Sequence, residues 1–261
     1  MKIGIVILII ATVVVVVAAT IWFIALSVNL ESGLVGHWDF NEGYGATLGD
    51  SSDFGNDGTI YGNAAWVDGI EGTAIYLDGI NDYIDVGNDD SLNPENAITI
   101  SAWFKPISFK GYGSDPIVTK GYTSHIEPYY QYHLSVVGDL YPRGRPGSFA
   151  FIVSIGGTRY GVQTPPNTWT AGNWYHIVGT FDGSNFAIYV NGVLEDTSVV
   201  TTLSMVDYGK DVYFGKFNNL IGHAQNIEAY VPGTIDEIRI YERAFTASEV
   251  ESLYSLLVNN L

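Results

Sequence analysis

The chain has 261 residues, 15% of them charged, with 30 glycines, 18 tyrosines, no cysteine and a formal net charge of −17. Without thiols it has no disulfides, zinc–thiolate sites or cysteine chemistry, and so acidic a chain is ill suited to a nucleic acid partner. The length fits one large all-β domain of residues 31–261 behind an apolar segment of residues 1–30.

Ile3 to Val28, IGIVILIIATVVVVVAATIWFIALSV, is an unbroken uncharged run. As a helix it would extend about 39 Å against a hydrocarbon core of about 30 Å, so it predicts a transmembrane-type helix that tilts or projects. Val17-Ala18-Ala19 offers small residues of the kind found at cleavage sites. The apolar part of a signal peptide usually runs only about 7 to 15 residues, which favours an uncleaved anchor. Lys2 precedes the run and is the only charged side chain before Glu31, so the remainder carries −18 and belongs outside the cell. Val6 to Val17 also resembles the assembly helix of archaeal type IV pilins, a resemblance that implies self-assembly through a filament core in place of lipid.

Beyond Asn29 the sequence changes to short alternating segments punctuated by Gly, Asn and Asp. Strands are predicted at 34–40, 73–77, 83–86, 98–105, 130–137, 149–155, 175–181, 186–190, 212–214 and 235–241. In Ile98 to Lys105, Ile98, Ile100, Ala102 and Phe104 share a core face, and Thr99, Ser101, Trp103 and Lys105 a more exposed one. Asp182-Gly183 and Asn191-Gly192 favour tight hairpins, so Trp174 to Asp196 reads as a three-strand meander. Thr246 to Glu249 is a capping box that opens a short C-terminal helix.

The ordered segments Leu34-Val-Gly-His-Trp-Asp-Phe, Leu77-Asp-Gly-Ile-Asn-Asp-Tyr, Asn173-Trp-Tyr-His-Ile-Val-Gly-Thr-Phe-Asp-Gly, Tyr189-Val-Asn-Gly and Ile235-Asp-Glu-Ile-Arg-Ile-Tyr carry a family resemblance. Together they resemble the laminin G-like, concanavalin A-like jelly roll from Leu34 to Tyr241. The resemblance implies a two-sheet antiparallel sandwich and a cell-surface adhesion or recognition module whose partners are glycans or surface proteins. It also implies a structural Ca²⁺ held by Asp236, with Asn41 or Asp39 and a carbonyl near Gly72.

Hydrolases of the same jelly roll place Glu-x-Asp-x-x-Glu on one strand, and no such arrangement occurs in this sequence, which argues against an enzyme. Strict alternation puts Asp236 on the face of Ile238 and Ile240, where an inward carboxylate wants a cation or backbone donors. Asp50, Asp53, Asn56 and Asp57 fail the EF-hand pattern and read as turn formers. Flat rings that stay partly exposed stack on sugars, and Trp103, Tyr122, Tyr129, Tyr130, Tyr141 and Trp169 are the candidates, although Trp103 also suits a structural place under a loop. Phe109 to Tyr130 is the expected recognition loop.

Overall fold

The computed structural model describes residues 30–109, 114–121, 130–138, 145–155, 157–201, 204–217 and 229–258. The apolar run at 3–28 therefore lies outside the described residues, as do Tyr122, Tyr129 and Tyr141. Among the described residues no helix is long and apolar enough to cross a membrane. Gly33–Leu261 forms one compact unit.

Its strands in chain order begin with β1 (Leu34–Trp38), β2 (Thr47–Leu48), β3 (Gly58–Tyr61), β4 (Ala65–Asp68), β5 (Thr73–Asp78), β6 (Tyr83–Asp85), β7 (Ile98–Pro106) and β8 (Ser114–Lys120). There follow β9 (Tyr132–Val137), β10 (Ser148–Ile155), β11 (Thr158–Gln163), β12 (Tyr175–Phe181), β13 (Asn185–Val190), β14 (Val193–Val199), β15 (Val212–Phe214) and β16 (Pro232–Tyr241). Helix α1 (Ala247–Val258) ends the described chain. The first sheet runs β14-β13-β12-β7-β16-β5-β4, with β1 also paired to β16. The second runs β11-β10-β9-β8-β15-β6-β3-β2, and all pairings are antiparallel.

Period-two patterning builds the core. Phe104, Ala102, Ile100 and Ile98 pair with Tyr175, Ile177, Gly179 and Phe181, and this row faces Phe149, Phe151, Val153, Leu134 and Phe214 of the second sheet. Gly179 leaves room for Phe151, since a Cβ there would collide with the ring. Trp38 bridges the sheets, meeting Phe214 edge-on at 4.8 Å and donating its indole N–H to the Asn56 carbonyl at 2.8 Å. Asp50 accepts the amides of His37, Ser52 and Asn56, so this loop closes on its own polar groups as turn-forming residues do. At the helix start Thr246 N–H donates to Glu249 Oε2 at 2.8 Å and Glu249 N–H to Thr246 Oγ1 at 3.3 Å, which is the reciprocal capping pair.

Three expectations need correction. The stretch 109–130 is not one long loop, because β8 lies within it. Pro116 and a bulge before Val118 hide the alternation that would have marked a strand. Asp236 does not share the face of Ile238 and Ile240. A bulge between Asp236 and Arg239, with Glu237 at φ 50, inserts one residue, so Asp236 pairs with Trp103 and stands on the face opposite the core. That face is also far from exposed: Thr99, Ser101, Trp103 and His176 are all buried, for α1 brings Tyr254 against Trp103 and His176.

Candidate functional site

The described aromatic residues singled out from sequence serve packing. Trp103 is only 3% exposed. Trp169 is half-buried against Phe149 and Tyr175, and its indole N–H donates to Thr164 Oγ1 at 2.8 Å. Tyr130 is buried and stacks on His133 at 4.8 Å, with Phe217 stacking on the same imidazole at 5.0 Å. Burial drives His133 down to about 3, helped by the nearby Arg159 charge, so the ring is neutral. Tyr122 and Tyr129 lie outside the described residues.

The residues named for a metal do converge at one end of the first sheet. Asn41 Oδ1 accepts the Thr73 amide at 3.0 Å and lies so close to Gly72 that a Cβ there would collide with it. Asp39 Oδ1 accepts the Asn41 amide at 3.1 Å, and the Gly72 carbonyl accepts from Gly69 N–H at 3.1 Å. Asp236 is fully buried. Its Oδ2 accepts the Ile70 amide at 2.7 Å, while Oδ1 has no hydrogen-bond partner. Burial pushes its carboxyl up to about 8, with the Ile70 amide opposing and the Glu237 charge adding to the rise. Among the described residues no group of three or more His, Asp or Glu side chains is placed to hold a metal. Any ion would therefore depend on amide and carbonyl oxygens beside the one carboxylate, the hard-oxygen set that suits Ca²⁺. The orphaned Oδ1 fits such an ion. The Asn41 oxygen, already engaged by Thr73, fits it less well.

The surface that the core does not use lies on the opposite sheet. In the pairing of β3 with β6, Ile60 and Ile84 face the core, so Tyr61 and Tyr83 project from the other side as direct cross-strand neighbours. Their rings are nearly parallel, 4.7 Å apart at 11°, and Tyr61 remains 43% exposed. Tyr213 of β15 pairs with Asp85 of β6 on the same face and meets Tyr83 edge-on at 5.9 Å. Lys216, bridged to Tyr230, holds its ammonium 3.4 Å from the Tyr83 ring centre and 4.6 Å from that of Tyr213. The Tyr213 hydroxyl donates to Asp211 Oδ2 at 3.1 Å. Partial burial raises the Asp85 carboxyl, with the Gly87 amide opposing and the Asp211 charge adding. Tyr83 is thus held between the Tyr61 ring and the Lys216 ammonium, with Tyr213 buried edge-on beside it, and Tyr61 is the exposed ring of the group. The outer face of Tyr61 can stack on the C–H face of a sugar. Sequence alone missed it, because Tyr61 and Tyr83 become neighbours only through the register of β3 on β6.

A jelly-roll sandwich with an unoccupied-by-core aromatic face defines a lectin-like class of fold. Residues 77–251 match the family model of the concanavalin A-like lectin/glucanases superfamily of laminin G type, and the chain belongs to that family. No curated protein matches it. Among solved structures it is similar to the binding domain of Paraclostridial Mosquitocidal Protein 1, at TM-score 0.65 and 19% identity over 87% of this chain and 53% of that one. Domain 4 of an extracellular GH43 arabinanase from Geobacillus stearothermophilus, in complex with arabinotriose, gives 0.63 and 24% over 85% of this chain and 98% of that one. The binding domain of botulinum neurotoxin DC in complex with SialylT gives 0.62 and 13% over 87% and 52%. The chain thus spans about half the length of the toxin domains and nearly all of the arabinanase domain.

Proposed function

We propose that this chain is a recognition module that binds neutral glycans on the tyrosine face of its second sheet without hydrolysing them. The observation that carries this reading is the parallel Tyr61–Tyr83 pair, standing beside Tyr213 and Lys216 on the side away from the core. One similar structure lends support, since it is in complex with arabinotriose, a neutral oligosaccharide. The charge of −18 beyond the apolar run weighs against polyanionic partners. Attachment through residues 3–28 would display the module at the cell surface, and a structural Ca²⁺ at Asp236 would brace the loops at 39–42 and 69–73. The test is calorimetry of the full chain in detergent with arabinotriose and other neutral oligosaccharides. Tyr61→Ala should weaken binding roughly tenfold, equivalent to about 1.4 kcal/mol, whereas Trp169→Phe should not, and the sugar should be recovered intact. Binding unaffected by Tyr61→Ala would rule out this face.

A second reading concerns the apolar segment. Its length exceeds the bilayer core and its stretch of consecutive valines matches a filament-core helix, so the same module could face outward from a pilin-like fibre. Electron microscopy of the native cell surface separates fibres from dispersed anchors.

A further inference from the structure

Lysine seldom faces the inside of a sandwich, yet Lys120 does. It ends β8 and pairs with Tyr132 of β9 and Val212 of β15, both core residues, so its side chain shares the inward face with Val118 and is buried. Among the described residues it is the one buried lysine. Its ammonium donates to the Lys210 carbonyl at 2.8 Å and to Asn88 Oδ1. Burial takes the group down to about 8, with the Asp207 and Asp211 charges opposing, so near that pH about half of it is the free amine.

Asn88 reaches the same place along a different strand. Beyond β6 the chain continues to pair with β15, through Val86 N–H to the Val212 carbonyl at 3.0 Å and Val212 N–H to the Gly87 carbonyl at 2.7 Å. Asn88 follows at once and is half-buried, so its carboxamide lies at the end of the sandwich where Lys120 stops. A second donor, Asn93 Nδ2, is tied to the Asp89 carbonyl at 3.0 Å and stands 3.5 Å from Asn88 Oδ1, placed to close on that oxygen as it gains negative charge. The carbonyl carbon Cγ is one bond beyond Oδ1. The terminal torsion of an asparagine is broad and soft, so a small turn of the carboxamide presents Cγ to the amine. Strand pairing thus holds together an amine and a carboxamide, two groups that condense to an amide, in a chain without cysteine.

We propose that Lys120 and Asn88 join in an isopeptide bond: Nζ attacks Asn88 Cγ, the Nζ–Cγ bond forms, the Cγ–Nδ2 bond breaks, and Nδ2 takes up a proton released by Nζ and leaves as ammonia. No oxidant or reductant is consumed. The proton travels by water or by the Asp207 and Asp211 carboxylates, whose charges act on the amine. The link closes residues 88–120 into a covalent ring that ties the end of β6 to β8, and it restricts the unfolded chain as a disulfide would. It goes beyond the glycan-binding reading and does not depend on it.

The test is mass spectrometry of the full chain, purified in detergent, held at pH 8 and then unfolded and digested with chymotrypsin. The parent should yield a branched peptide in which the segment 84–92 is joined to the segment 113–122, lighter by about 17 Da, one ammonia, than the two segments together. Fragmentation should place the junction at Asn88 and Lys120. Lys120→Arg and Asn88→Ala should each give the two segments unlinked. Recovery of both segments from the parent at their full separate masses, with no branched peptide, overturns the proposal. The parent's own digest decides the matter, so a variant that fails to fold leaves the test intact.

Discussion

Individual side chains in this protein are sorted by what surrounds them more than by type. Tyr61 and Tyr130 are both tyrosines near strand ends, yet one keeps 43% of its surface and the other is sealed against His133. Buried neutral histidines have a measurable consequence. His133 and His176 sit near 3 when folded, against about 6.5 when unfolded. Between those values the unfolded chain binds protons that the folded chain does not. The stability they allow is full above pH 6.5 and is lost as pH falls toward 3, by about 2 kcal/mol for each ring at pH 5. Urea unfolding from pH 7 to pH 4 should therefore show a shallower decline for His133→Gln than for the parent. Taking the difference between the two chains isolates the ring from Asp115, which burial pushes up to about 6 and which acts with the opposite sign. Equal slopes would mean that His133 is not buried as a neutral ring.

At the scale of elements, two small devices position the surfaces of the first sheet. The capping pair of Thr246 and Glu249 starts α1, and that helix sets Tyr254 over Trp103. Thr246→Ala should cost about 1 kcal/mol, and combination with Glu249→Ala should cost less than the sum, since both act on one turn. Chemical unfolding of the single and double variants checks this. The β16 bulge is the other device. It turns Asp236 away from the core and sets Glu237 between His37, at 3.0 Å, and Arg239, at 2.7 Å. With Asp236 Oδ1 unpartnered beside the 69–73 turn, millimolar Ca²⁺ should raise the thermal midpoint of the parent, EDTA should reverse the gain, and Asp236→Asn should abolish it. A midpoint indifferent to calcium would leave Asp236 as an acceptor of loop amides.

For the molecule as a whole, charge and architecture point the same way. Binding by aromatic stacking to neutral sugars should change little between 50 mM and 500 mM salt, figures on the order of those that shift phosphate-dependent binding by orders of magnitude. Titrations of one oligosaccharide at the two ionic strengths decide it, and a steep salt dependence would indicate a charged partner. Among the described residues β14 and β11 are the edge strands on one side, and beside them Arg145 and Asp196 form an ion pair of 2.8 Å. Charged side chains at such edges discourage pairing with other chains.

Much of the architecture was legible in the residues. Alternation in 98–105, 149–155 and 186–190 marked the inward faces, Asp182-Gly183 and Asn191-Gly192 marked the hairpins, and Thr246 to Glu249 marked the helix start. Local pattern suffices there because the period of the chain and the demands of a tight turn are properties of adjacent residues. Strand β8 escaped, since Pro116 and a bulge break its period. The face of Asp236 was misread for the same reason, because one inserted residue reverses every side chain beyond it. The aromatic clusters depended wholly on tertiary structure. Tyr61 meets Tyr83, and Trp103 meets His176 and Tyr254, only through strand register and helix docking between residues distant in the chain. Composition and sandwich class were thus settled by the sequence itself, while which aromatic rings stay exposed and which are sealed was decided by long-range pairing that no local pattern encodes.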